Sequence, residues 1–406
     1  MKIDKIRTLV LYAQFKGTDL LSYYDDWMDA FIRSEGFSVT SVNICNSEKV
    51  NQVQNKIKEF DLIVLLHSTN GNTLTHINSF KNVLKDRTGK LIVFVGNEVN
   101  LPHVSMSEKI RFIYEIEADF IGTQLPIKAG EWLYSECKKS KVVALPHALN
   151  PEAFKPKIPQ KNRTIDIGVR SNLYPAYIGD TDRNDIFNYF STKKISAIQN
   201  LDINTDMSAR FNRSGWASFL NNCKGTISTE AGSFYLEKDD KTVKSVENYI
   251  LATQKKYIIK RKSIYHRTWC LFPQKFRNLL SKPLKNKLIF EGKVVQQSNF
   301  EEIYNKFFKN YPRPPFYSKC ISSRHFDAIG AKTCQIMFQG EFNGILEADI
   351  NYIKLNRDFS NIDDAIVRFK DLTYRKNMTD TTHEYIMDQH TYKHRIFDIL
   401  KIVQSN

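Results

Sequence analysis

The residues best placed to do chemistry fall into three groups. The first is cationic. Arg170 follows the apolar run at 164–169, Lys224 opens the run at 224–229, and Arg324 begins a short helical stretch at 322–330. Each stands where a regular element meets a loop, and a nucleoside diphosphate needs positive charge and backbone donors together in one such place. Arg324 would also oppose the dipole of its helix, which favours an anionic partner. With 59 Lys and Arg in the chain, an ordinary surface cation is the competing account of each. The second group is the turn at 340–344, where Glu341, Asn343 and Gly344 follow an apolar run, and backbone donors of such a turn can hold phosphate or sugar hydroxyls. The third group is polar and follows apolar runs in the first 150 residues: 67–71, 96–100 and 122–124. Glu98 is its candidate general base and His67 the alternative, although a lone histidine is more often structural. His147 is expected to pack in a linker. His390 and His394 read as a surface pair, because no third ligand accompanies them.

Positioning these groups requires strands that end where the loops begin. Residues 8–12, 37–44, 61–66, 90–95, 118–122 and 141–145 read as strands, and the runs at 61–66 and 90–95 are apolar throughout. Continuous apolar runs suit strands buried on both faces. Helical spacing at 20–34 (Leu20, Leu21, Tyr24, Trp27, Met28, Phe31), 50–60 and 130–137 alternates with them. That rhythm predicts a parallel sheet with helices on both faces. No GxGxxG follows the first strand, so a dinucleotide fingerprint is absent from this half. Three prolines within residues 145–156 mark a linker. A second βα series begins at 164–169. It continues through a helix at 182–190, a helix at 216–223, the strand at 224–229, the strand at 333–338, a strand at 352–355 and a helix at 362–369. A last helix is expected over 384–403. Residues 243–293 break the rhythm and are expected to form an inserted helical element.

At 406 residues the chain is long enough for two domains, and 42% hydrophobic content suffices for packed cores. No run of 18 apolar residues occurs, so no spanning helix is expected. The opening residues lack the pattern of a signal peptide, and a cytoplasmic protein is the simplest reading. The cysteines at 45, 137, 223, 270, 320 and 334 include no CxxC pair and read as free thiols. Net charge is +15, and residues 255–293 carry twelve Lys or Arg against one acid, interleaved with Tyr257, Tyr265, Trp269, Phe272 and Phe276. Such a segment suits an anionic membrane surface or single-stranded nucleic acid, but no RRM, KH or zinc-finger signature accompanies it, so nucleic acid is the weaker partner.

The stretch at 322–344 resembles the donor-site segment of GT-B glycosyltransferases of the group-1, CgeB-like kind. In that family a short helix carries an acid ahead of Ala-x-Gly and a strand. The linker resembles the Pro-His-x-x-(Asp/Asn)-x-x-x-Phe-x-Pro crossover between the family's two halves. The resemblance implies an α/β fold of GT-B architecture, with two Rossmann-like parallel-sheet domains at 1–155 and 156–385. The basic insertion, about 243–300, falls in the second, and a C-terminal helix at 386–406 crosses back to the first. It implies that Asp327, standing where the family more often has Glu, holds the ribose of a nucleotide sugar. Arg170 and Lys224 would clamp the diphosphate, and Glu230 would reach the transferred sugar, although Glu230 and Asp327 are far further apart than in many relatives.

The expected activity is transfer of a sugar from a nucleoside-diphosphate donor, UDP-linked, to a hydroxyl of a glycan or lipid-linked acceptor held by the first domain. The nucleotide sugar is a substrate; no cofactor and no metal is expected. Docking of the 255–293 segment on the inner face of a membrane would suit a lipid-linked acceptor. Two rivals are a nucleotide-sugar 2-epimerase on the same fold and a non-catalytic protein that binds anionic lipid or nucleic acid through the insertion.

Overall fold

The computed structural model describes residues 5–14, 21–193, 195, 198–253, 257–259, 268, 288–290 and 298–405. The first lobe is built on six strands: β1 (Ile6–Tyr12), β2 (Phe37–Asn43), β3 (Leu62–Leu65), β4 (Lys90–Phe94), β5 (Phe120–Thr123) and β6 (Lys141–Ala144). They pair in parallel in the order β2-β1-β3-β4-β5-β6. β3 is buried at every position, as its Leu-Ile-Val-Leu sequence requires of a strand covered on both faces. Five helices connect them: α1 (Ser22–Arg33), α2 (Ser47–Gln54), α3 (Lys81–Lys85), α4 (Met106–Glu115) and α5 (Ile127–Leu133). The helix expected over 50–60 is α2, shifted toward its Asn46 cap, followed by a separate 3-10 turn at Ile57–Glu59.

The second lobe carries β7 (Ile165–Arg170), β8 (Leu201–Asn204), β9 (Cys223–Ser228), β10 (Ala231–Gly232), β11 (Tyr257–Ile259), β12 (Leu288–Phe290), β13 (Lys319–Cys320), β14 (Cys334–Phe338) and β15 (Ile353–Leu355). Its main sheet is parallel, in the order β15-β14-β9-β7-β8. β8 has no counterpart among the strands read from sequence, because Leu201-Asp202-Ile203-Asn204 is short and half-exposed. Among the described residues its helices are α6 (Asp182–Thr192), α7 (Arg213–Asn222), α8 (Lys241–Ala252), α9 (Phe300–Phe307), α10 (Ser323–Gly330), α11 (Ile362–Lys370), α12 (Leu372–Gln389) and α13 (Tyr392–Gln404).

The helix expected over 384–403 is two helices. α12 ends at His390, and Thr391 starts α13 with a capping box closed by His394. The break lets the chain turn back. Leu149 pairs with Thr391, and Tyr392, Ile396 and Ile399 of α13 pack with Trp27 and Phe31 of α1 in the core of the first lobe. Two parallel-sheet lobes and a terminal helix that crosses back constitute the architecture that the resemblance implies. Of the expected helical insertion, α8 is helical, whereas β11 and β12 pair in parallel. The rest of the basic segment at 255–293 lies outside the described residues. No described helix is long and apolar enough to cross a membrane.

Candidate anion-binding crevice

Each parallel sheet has a point where strand order reverses, and ligands bind beyond the carboxyl ends of strands at such points. In the second lobe that point lies between β7 and β9. The chain leaves β7 at Arg170 and β9 at Ser228, and α10 ends its path toward them with its amino terminus at Ser322 and Ser323. Ser322 and His325 form a capping box there, which satisfies the Ser322 and His325 amides, while the first-turn amides of Ser323 and Arg324 have no intrahelical partner.

Two small cavities of about 30 Å³ each lie at this edge. The first opens toward the other lobe and is lined by Ser22, Tyr23, Arg210, Arg213 and Asp327. The second runs along the strand ends and is lined by Arg183, Ser228, Thr229, Ser322 and Gln335. Arg170, Trp216 and Arg324 line both and form the wall between them.

The guanidinium of Arg324 lies over the Trp216 ring, 5.4 Å from its centroid, and donates to the carbonyl oxygen of Arg170. Burial and the like charges of Arg210 and Arg183 lower its pKa to about 9. Arg210 is lowered for the same reasons, burial first and then Arg183. Arg183 covers the Tyr174 ring at 3.7 Å. Among the described residues, Arg183, Arg210 and Arg324 have no carboxylate within the 4.0 Å of an ion pair. Three guanidiniums held near one another without a carboxylate in ion-pair contact is an arrangement that an anion relieves. The buried Ser228 Oγ and Gln335 Oε1 on the second cavity also have no hydrogen-bond partner.

Asp327 is buried with Oδ2 accepting from Trp216 Nε1 at 2.9 Å and from Ser22 Oγ of the first lobe at 3.1 Å. Burial, and then the neighbouring Asp26, push its carboxyl well above the usual range. The protonated form, which burial favours, donates as well as accepts.

The other residues expected at the site are placed differently. Arg170 stands at the carboxyl edge but is already neutralised. It binds Asp202 Oδ2 at 2.7 Å, donates to the carbonyls of Val169 and Asp202, and stacks on Phe219. Lys224 lies toward the opposite edge of the sheet. It is the second residue of β9, opposite Asp166 near the start of β7, and its Nζ binds Asp166 Oδ1 at 2.7 Å. Four residues of parallel strand separate that edge from Arg170, roughly 13 Å.

Glu230 is buried beneath the turn at 340–344. Its Oε1 accepts from the Phe342 amide at 2.7 Å and its Oε2 from the Tyr317 hydroxyl, and burial raises its pKa. A Cβ at Gly340 would sit 2.2 Å from Glu230 Oε2, so only glycine admits this packing. Glu341 is exposed. Asn343 and Gly344 take left-handed backbone, with φ of 56° and 71°. Asn343 accepts from the Ile321 amide and donates to the Gln124 carbonyl of the first lobe at 3.0 Å.

Glu98 and His67 are both buried, and neither lines the crevice, although the His67 ring packs against Tyr23. Glu98 accepts from Thr123 Oγ1, Tyr134 Oη and the Gln124 amide, all at 2.6–2.7 Å, and burial raises its pKa. His67 Nε2 meets Gln124 Nε2 at 2.8 Å, and burial lowers its pKa to about 3. Neither is posed as a base toward the crevice; both fix the loop that carries Gln124. His147 accepts from Trp27 Nε1, as expected of a packed side chain. His390 contacts Tyr385 and Arg395.

Sequence reasoning missed Arg183 and Arg210. Arg183 had the signal that drew attention to Arg324, a cation in the first turn of a helix. Arg210 lies in a loop with no comparable signal.

No family model matches the chain, and no curated protein does. Among solved structures, the chain is similar to a glycosyltransferase from Rickettsia africae ESF-5 (10% identity, TM-score 0.40, 99% of this chain and 98% of that one). It is also similar to Anabaena Alr3699/HepE in complex with UDP-glucose (11% identity, TM-score 0.48, 99% and 100%). A third is sucrose-phosphate synthase from Thermosynechococcus elongatus (10% identity, TM-score 0.48, 99% and 99%). These are distant likenesses, and the two-lobed architecture rests on the sheet topology given above.

Proposed function

We propose that the chain is a glycosyltransferase of GT-B architecture whose donor, a nucleoside-diphosphate sugar, lies along the carboxyl edge of the second lobe. The carrying observation is the set of guanidiniums without carboxylate partners beside the amino end of α10. In this reading Arg183, Arg324 and the α10 backbone donors hold the diphosphate, and Asp327, which lines the cavity between the lobes, meets a hydroxyl of the transferred sugar or the acceptor rather than the ribose that the resemblance gave it. As the anomeric C–O bond breaks, its electron pair passes to the diphosphate oxygen, whose charge grows. An acceptor hydroxyl forms the new bond at the anomeric carbon, and its proton passes to the departing diphosphate or to water. The arginines act on the charge that develops, which lowers the barrier more than uniform binding would. Arg183 and Arg324 take the role that the resemblance gave to Arg170 and Lys224. The hydroxyl acceptor, glycan or lipid-linked, would approach from the first lobe. Docking on an anionic membrane through 255–293 belongs to the same proposal.

The test is thermal shift and calorimetry with a panel of nucleoside diphosphates and nucleotide sugars, UDP and UDP-glucose first. At least one nucleotide should raise the melting temperature, and Arg183→Gln should weaken its binding at least about tenfold, the worth of one charge-assisted contact. A panel in which nothing stabilises the fold refutes the reading. Product analysis with the donor alone separates transfer from 2-epimerisation, which would interconvert donors without an acceptor.

A further inference from the structure

The crevice holds more positive charge than a diphosphate occupies, and the excess is in a different place. Arg183 lines only the cavity along the strand ends; Arg210 lines only the cavity between the lobes. The wall of Arg170, Trp216 and Arg324 stands between them. Arg210 is half-buried, and its Nε is buried without a hydrogen-bond partner. Among the described residues, the acids beside this cavity are otherwise engaged. Asp26 and Asp29 bind Arg213 at 2.9 and 2.7 Å, and Asp25 lies 4.0 Å from the same guanidinium. Asp327 accepts from Trp216 and Ser22, and its burial disfavours the charged form. Of the first lobe, Ser22 and Tyr23 face the same cavity. This is the side from which an acceptor would approach, and the side on which a transferred sugar would lie if the diphosphate sits at Arg183.

We propose that Arg210 is a second anion subsite, for a carboxylate or phosphate carried by the transferred sugar or by the acceptor. The inference rests on the donor reading above and narrows it: one of the two substrates is itself acidic beyond the diphosphate. Burial strengthens the discrimination, because a guanidinium without a partner in a confined site gains more from an anion than one in water.

The experiment is calorimetry on the full chain and on Arg210→Gln, Arg210→Lys and Arg183→Gln, each first shown to melt with the wild type. The probes are UDP, UDP-glucose, UDP-glucuronate, and inorganic phosphate titrated into protein saturated with UDP-glucose. If the sugar carries the anion, UDP-glucuronate binds the wild type about tenfold tighter than UDP-glucose. Arg210→Gln then abolishes that preference, Arg210→Lys keeps part of it, and UDP affinity is unchanged in both. If the acceptor carries it, phosphate binds the saturated protein and Arg210→Gln abolishes that binding. The inference is overturned if the wild type shows neither effect, or if Arg210→Gln weakens UDP as much as it weakens UDP-glucuronate. Should UDP and UDP-glucose both fail to bind, the donor reading falls separately. Phosphate titrated into the nucleotide-free chain then decides the subsite: loss in Arg210→Gln but not in Arg183→Gln supports it, and any other result overturns it.

Discussion

Asp26 shows how a single residue ties stability to pH. It is 1% exposed, accepts from Asn150 Nδ2 at 2.7 Å and meets Arg213 at 2.9 Å. Burial outweighs both contacts and raises its carboxyl to about 7. The unfolded value is about 3.9, so the folded chain holds the extra proton between those limits. Its contribution to stability is therefore full below about pH 4 and is lost as pH rises through about 7. Asp26→Asn should flatten the fall in melting temperature between pH 5 and 8 relative to the wild type. A slope unchanged in the variant would refute this. At this scale the sequence was legible in residue type but not in partner. Arg170 was readable as a cation at a strand end, yet its neutralising Asp202 lies on β8, a half-exposed strand of four residues with no clear pattern. Lys224 opens its strand in the sequence too, and the amino end of a parallel strand points away from the ligand edge. Arg183 was readable by the rule that singled out Arg324.

Elements are held in place by contacts no periodicity reveals. Lys319 of β13 is fully buried and binds Asp180 at 2.8 Å and Asp182 at 2.7 Å, while Arg357 also reaches Asp182. This pins the start of α6, and with it Arg183, to the strand that leads into α10. Removing the ammonium leaves Asp180 buried without its ion-pair partner. Lys319→Met should cost about 3–5 kcal/mol, read as a lower denaturation midpoint, and adding Asp180→Asn should recover part of it. An unchanged midpoint in the single variant would sink the argument. Apolar strands such as β3 and β4 were plain from sequence because burial on both faces excludes polar residues. The break between α12 and α13 was not, since Thr391 and His394 form their capping box inside what reads as one helical run.

In the whole molecule, polar contacts among the described residues that join the lobes include three groups. Asp240 of the second lobe accepts from the Met106 and Ser107 amides and so caps α4 of the first. Asn343 donates to the Gln124 carbonyl at the base of the cleft. At the mouth, Arg213 at the start of α7 spans Asp26 and Asp29 of α1, beside Ser22 and Asp327. The two cavities there, about 30 Å³ each, are far smaller than the roughly 300 Å³ or more of a site for a nucleotide-sized ligand. A donor must therefore part α1 from α7 or move the wall at Arg324. Arg213 is the strongest single tie across that mouth, whereas Asp240 and Asn343 lie away from it and can act as the pivot. Arg213→Ala should open the lobes on the α1 side while both sheets stay folded. Small-angle scattering would read this as a radius of gyration about 1 Å or more above wild type, for a compact chain of this length expected near 22 Å. Its circular dichroism should match the wild type, because Arg213 is only the first residue of α7 and lies in no strand. If scattering is superimposable for the two proteins, Arg213 does not hold the lobes together and the donor must be admitted by movement of Arg324 alone.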